Sequence, residues 1–168
     1  MGGRNKIKMR ELREALEKIG LRNVKSYIQS GNLAFHCDLS ISDCSKEIAS
    51  VLETGFSIKT QPFVMFQDAL AKSLKVNPYR EIEDGSKVHI FFLSDQPEAS
   101  KYEELASLRS PTEESSLKDK FLYLHAPDGV ARSKFLASAE KKLGVQGTAR
   151  NMKSVRKIAE MATGLMDR

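Results

Sequence analysis

The sequence predicts an α+β protein in which helices and strands alternate from end to end, the first half short of one strand and the second half forming another α/β subdomain. Three observations carry this expectation. Apolar residues switch repeatedly between three-to-four spacing and two-residue spacing. Gly, Pro, Ser and Asn fall between the periodic stretches, where turns and caps belong. One apolar stretch, Val88 to Leu93, reads as a strand buried on both faces.

The elements follow in order. Met9, Leu12, Leu16 and Ile19 share one face of a helix over 8–19, with Gly20 placed to end it. Val24 to Gln29 and Leu33 to Cys37 read as two strands joined by the turn residues Ser30-Gly31-Asn32. Ser42 or Asp43 caps a second helix carrying Cys44, Ile48, Val51 and Leu52 and ending near Gly55. Ile58 to Phe66 reads as a strand, with Pro62 consigning it to an edge. The order α-β-β-α-β is that of a ferredoxin-like α/β sandwich unit lacking its first strand. Asp68 to Lys75 is a short helix, and Glu98 to Arg109 is a longer one with Tyr102, Leu105 and Leu108 inward. Ser110 to Asp119 reads as a polar loop, Phe121 to His125 as a strand, and Pro127-Asp128-Gly129 as a turn. Ser133 to Leu143 is a helix closed by Gly144, and Thr148 caps a last helix bearing Met152, Val155, Ala159 and Ala162. Residues 1–168 read as one domain, with subdomains over 1–66 and 86–168.

Composition narrows the class. The chain has 168 residues, 40% hydrophobic and 29% charged, enough for a core without disulfides or metal. No apolar run approaches the ~20 residues of a membrane span. The start lacks the apolar stretch of a secretory signal, so a cytoplasmic location is expected. Cys37 and Cys44 are too few for a disulfide framework and show no metal-ligand spacing with His36, His89 or His125. No metal or cofactor is expected. The net charge of +5 permits an anionic partner without demanding one. Arg4, Lys6, Lys8, Arg10 and Arg13 crowd one end, and Arg150, Lys153, Arg156 and Lys157 the other.

Several segments occur in a family's order: Gly2-Gly3-Arg4-Asn5-Lys6-Ile7-Lys8-Met9, Ser26-Tyr27-Ile28-Gln29-Ser30-Gly31-Asn32, Asn77-Pro78-Tyr79, His89-Ile90-Phe91-Phe92-Leu93, Arg132-Ser133-Lys134-Phe135 and Thr148-Ala149-Arg150-Asn151. With these the chain resembles the bacterial domain-of-unknown-function 1697 family. The resemblance implies a fold and no reaction. Members usually open with an apolar strand before the Gly-Gly at which this chain begins. Loss of that central strand would leave the last strand of the unit unpaired and an apolar sheet edge open, which implies a truncated start, a rearrangement that fills the gap, or an oligomeric partner that covers it. Met152 stands where the family commonly has Trp.

Four segments are candidate anion sites. Gly3, Arg4, Asn5 and Lys6 precede the first helix, where crowded amides and two cations suit a phosphate or carboxylate. Ser30 and Asn32 flank a tight turn, Arg132 and Lys134 flank Ser133 at another helix start, and Arg150 and Asn151 stand at the last helix start. Each also has a plain structural reading, as a turn or a capped helix. No nucleophile elbow, zinc-protease motif or dinucleotide fingerprint occurs. The acid pair Glu113-Glu114 reads as solvated surface, and Tyr27 or His125 are the available general bases. A binding module for an anionic small molecule or nucleic acid is therefore expected, with a small metal-independent enzyme acting on a phosphorylated or carboxylated metabolite as the alternative.

Overall fold

In the computed structural model, residues 8–27 and 31–166 are described. Among them six helices and six strands form two sheets, all pairs antiparallel, and the class is α+β. The chain divides into two compact units, Met1–Ala69 with Lys157–Arg168, and Leu70–Arg156.

The first unit opens with α1 (Met9–Lys18), whose Leu12 and Leu16, one helical turn apart, are buried. Gly20 at φ +95° ends it: Gly20 N–H donates to Glu17 O and Leu21 N–H to Leu16 O, closing the last carbonyls. Strands β1 (Arg22–Tyr27) and β2 (Asn32–His36) form a two-stranded sheet, with an irregularity between Arg22 and Lys25 where Asn23 takes φ 54°. Helix α2 (Ile41–Phe56) is capped by Ser40, whose Oγ accepts from Asp43 N–H at 3.1 Å, and not by the expected Ser42 or Asp43. It runs through Gly55 and ends on Ser57 in the left-handed region. Leu12, Leu16, Leu21, Val24, Cys44, Ile48 and Leu52 make one core.

The strand expected over Ile58–Phe66 does not form. A strand needs a neighbour, and neither β1 nor β2 pairs with this stretch. Side chains hold it instead: Ser45 Oγ donates to Pro62 O at 2.7 Å and accepts from Gln61 Nε2 at 2.8 Å, while Ile58 and Val64 pack on the core. The C-terminal part of α6 (Met152–Met166) completes this unit, where Lys25 Nζ donates to Gly164 O at 3.2 Å. Helix α3 (Gln67–Lys75) contains the boundary to the second unit.

The second unit is built on β3 (Val88–Leu93), buried except at His89. Helix α4 (Ala99–Ala106), β4 (Glu114–Lys118), β5 (Phe121–His125), α5 (Lys134–Leu143) and β6 (Gly147–Asn151) follow. The sheet order is β4-β5-β3-β6. The second unit thus has the order β-α-β-β-α-β, whereas the first 66 residues, expected to hold α-β-β-α-β, hold only α-β-β-α among the described residues. Phe91 and Leu93 pack under α4 and α5 with Leu105, Leu122, Leu124, Phe135, Ala139 and Leu143. On the opposite face Tyr123 Oη donates to Ser73 O at 2.8 Å.

Two further elements differ from expectation. The polar loop placed over Ser110–Asp119 ends in the edge strand β4, because Ser115, Ser116 and Leu117 pair with Leu124, Tyr123 and Leu122 across a tight turn at Asp119. Its weak strand propensity is overridden by that long apolar partner. Thr148 does not cap the last helix. It lies within β6, opposite Phe92, and the cap is Asn151, whose Oδ1 accepts from Ser154 N–H at 2.8 Å.

Candidate functional site

The start of α5 carries the most open of the described candidates. Gly129 at φ +84° turns the chain, Gly129 N–H donates to Ala126 O, and Ser133 N–H donates to Val130 O. Ser133, itself buried, accepts from Leu136 N–H at 3.1 Å. Phe135 anchors the first turn in the core. Arg132 and Lys134 therefore stand exposed on either side of a fixed helix start, and neither makes an ion pair among the described residues. The first-turn amides of Lys134 and Phe135 have no acceptor within the helix. Two cations and the positive end of a helix make a local positive potential.

Arg150 is placed elsewhere. It pairs in register with Ile90, whereas α5 packs on the face of Phe91. Strand neighbours point to opposite faces, so Arg150 and α5 lie on opposite sides of the sheet. Its Nη1 donates to Thr148 Oγ1 at 2.9 Å and to Ala149 O at 2.7 Å, and burial lowers its pKa. Asn151 serves as helix cap and sits opposite His89. Asn32 is buried at the head of β2, opposite Tyr27. Gly3, Arg4, Asn5, Lys6 and Ser30 lie outside the described residues. Much of the terminal basic charge is matched locally: Lys8 with Glu11, Arg10 with Glu14, and Lys157 with Glu160.

A second cluster was not visible in the sequence order. The Tyr79 ring lies 5.8 Å from that of His125, and Glu114 stands opposite His125 across β4 and β5. Burial, then Glu114 and Tyr102, push the Tyr79 phenol up to about 12, and Arg109 opposes them. Tyr102 Oη lies 3.1 Å from Ser115 Oγ. Asn77 holds the approach: its Oδ1 accepts from Tyr79 N–H at 2.9 Å, and its Nδ2 donates to Met152 Sδ at 3.3 Å. Met152 thus fills a fully buried position against Asn77. Of the acid pair, Glu114 is exposed, but Glu113 is buried and accepts from Ser110 N–H at 2.9 Å, stapling the bend before β4 rather than facing solvent. The sequence reads Ser110 to Asp119 as a polar loop, and nothing in it brings Glu114 beside His125.

Residues 1–123 match the model of a family described as a protein of unknown function, DUF1697. The chain belongs to this family. A solved structure, the conserved bacterial protein SP0830 from Streptococcus pneumoniae, is similar over 96% of this chain and 92% of its own, with a TM-score of 0.74 and 21% identity. That likeness is one of fold. No curated protein matches the chain. No helix among the described residues is long and apolar enough to cross a membrane, and no described group of three His, Cys, Asp or Glu is arranged to hold a metal.

Proposed function

We propose that this DUF1697 protein is a binding module for an anionic, phosphate- or carboxylate-bearing ligand held at the start of α5. The supporting observation is the exposed Arg132 and Lys134 flanking the Ser133 cap with no carboxylate paired to either. Other described cations are in part paired with acids, as Lys72, Lys101 and Lys142 are, and in part not, as with Lys59, Lys118 and Lys141; Arg132 and Lys134 are unpaired cations that also flank a capped helix start. An unmatched pair of cations beside unsatisfied amides is what an anion site requires. The β-α-β-β-α-β order and the strand order of β3 to β6 support a ferredoxin-like reading of the second unit, in place of the one expected for residues 1–66. We place the protein in the bacterial cytoplasm, consistent with two cysteines that form no disulfide.

The test is thermal melting at low salt against inorganic phosphate, sugar phosphates, nucleotides and short oligonucleotides. A midpoint rise with a small phosphorylated compound, lost in Arg132→Ala/Lys134→Ala, is the expected result. A rise with oligonucleotides alone that vanishes with added salt would make nucleic acid the partner. No rise with any compound, or the same rise in the variant, removes the proposal. The enzyme reading is favoured by one observation, the phenol, imidazole and carboxylate of Tyr79, His125 and Glu114 gathered at one end of the sheet.

A further inference from the structure

The only two cysteines of the chain meet in the first unit. Cys37 directly follows β2 and Cys44 lies in the first turn of α2. Cys44 is buried in the core against which Cys37 packs, and the two thiols influence each other electrostatically. Cys37 is half-buried, accepts from Leu39 N–H at 3.4 Å, and lies within electrostatic reach of the Arg22 guanidinium. Between the two cysteines residues 38–43 form a mostly exposed connection.

We propose that Cys37 and Cys44 form a hydroperoxide-reactive dithiol, with Cys37 as the attacking sulfur and Cys44 as the resolving one. The assignment of roles follows from access and protonation. Cys37 is the sulfur a solute can reach. Burial first, and then the neighbouring Cys37, push the Cys44 thiol up to about 12, which disfavours the thiolate an attacking sulfur needs. In the first step the Cys37 sulfur attacks the hydroperoxide, the O–O bond breaks, and an alcohol or water leaves with the thiol proton. Cys37 is then a sulfenic acid. In the second step the Cys44 sulfur displaces the hydroxyl, which departs as water with the Cys44 proton, and the S–S bond forms. Two thiols and one hydroperoxide give one disulfide, one alcohol (water for hydrogen peroxide) and one water.

No Lys or Arg lies between Ser26 and Lys46, so a single tryptic peptide carries both cysteines. The reduced full chain is treated with equimolar hydrogen peroxide, the remaining thiols are alkylated, and the peptide is weighed. The expected product is lighter by two hydrogens and carries no alkyl group. In Cys44→Ala the reaction stops at Cys37 as a sulfenic acid, trapped by a cyclic 1,3-dione, while Cys37→Ser leaves Cys44 fully alkylated. The wild-type peptide alone decides the matter if a variant fails to fold. Alkylation of both cysteines, an oxygenated Cys37 beside an alkylated Cys44, or disulfide-linked dimers would each overturn the proposal.

Discussion

His89 lies on β3 between uncharged register partners, Leu124 on β5 and Asn151 on β6, and its buried Nδ1 has no hydrogen-bond partner. Burial disfavours the imidazolium and lowers the pKa from 6.5. The unfolded chain therefore takes up a proton near pH 6.5 that the folded chain refuses. Below that pH the unfolded state binds more protons, so stability falls as pH decreases, while above it the contribution is flat. The urea midpoint is expected to be lower at about pH 5.5 than at about pH 7.5, and His89→Leu is expected to reduce that difference. An unchanged difference in the variant would show that the imidazole is not its source. Glu113 teaches a related point at the same scale. In sequence it is one of two adjacent acids, yet only the fold makes it an acceptor for Ser110 N–H and leaves Glu114 beside His125.

At the scale of elements, β6 shows how tightly a strand start can be specified. Gly147 opens it opposite Leu93, and a Cβ there would stand 2.8 Å from Phe92 O and 3.1 Å from Leu93 Cδ2. The backbone oxygen cannot move aside without disturbing the β3 ladder. Gly147→Ala is expected to destabilise by about 1–3 kcal/mol, read as a lower denaturation midpoint with the same slope. A midpoint equal to wild type would mean the β6 edge yields freely. This approach was invisible in the sequence, because β3 and β6 are far apart along the chain. What was legible was local: the Gly20 and Gly144 helix stops, the helix start at Ser133 and the apolar strand Val88–Leu93 depend on neighbouring residues. The misread elements all depend on a distant partner. β4 exists because β5 pairs with it, Thr148 is in a strand because Phe92 is opposite, and 58–66 is no strand because it has no neighbour. The candidate site divides in the same way. Arg132 and Lys134 were placed by a local cap, whereas the face on which Arg150 lies is decided by register with Ile90.

Across the whole molecule the two units bury their cores by different means. In the second, β3 has a strand on each side and every residue except His89 is buried, while β5 is flanked by β4 and β3. In the first, among the described residues, β1 and β2 have only each other, and helices supply most of the cover. A two-stranded sheet in isolation is marginal, so β1 and β2 depend on α1 and α2 for their order. Their ladder can open when a helix end frays, but the β3 ladder opens only when strands on both sides separate. Local opening free energies should therefore differ between the sheets. In hydrogen-exchange mass spectrometry of the intact chain, the amides of β3 and β5 are expected to exchange last and those of β1 and β2 well before them. The Gly147→Ala variant should accelerate β3 while leaving β1 and β2 nearly unchanged. If β1 and β2 exchanged as slowly as β3, the helices of the first unit would be holding their sheet as firmly as strands on both sides hold β3, and strand count would not be what ranks stability within this fold.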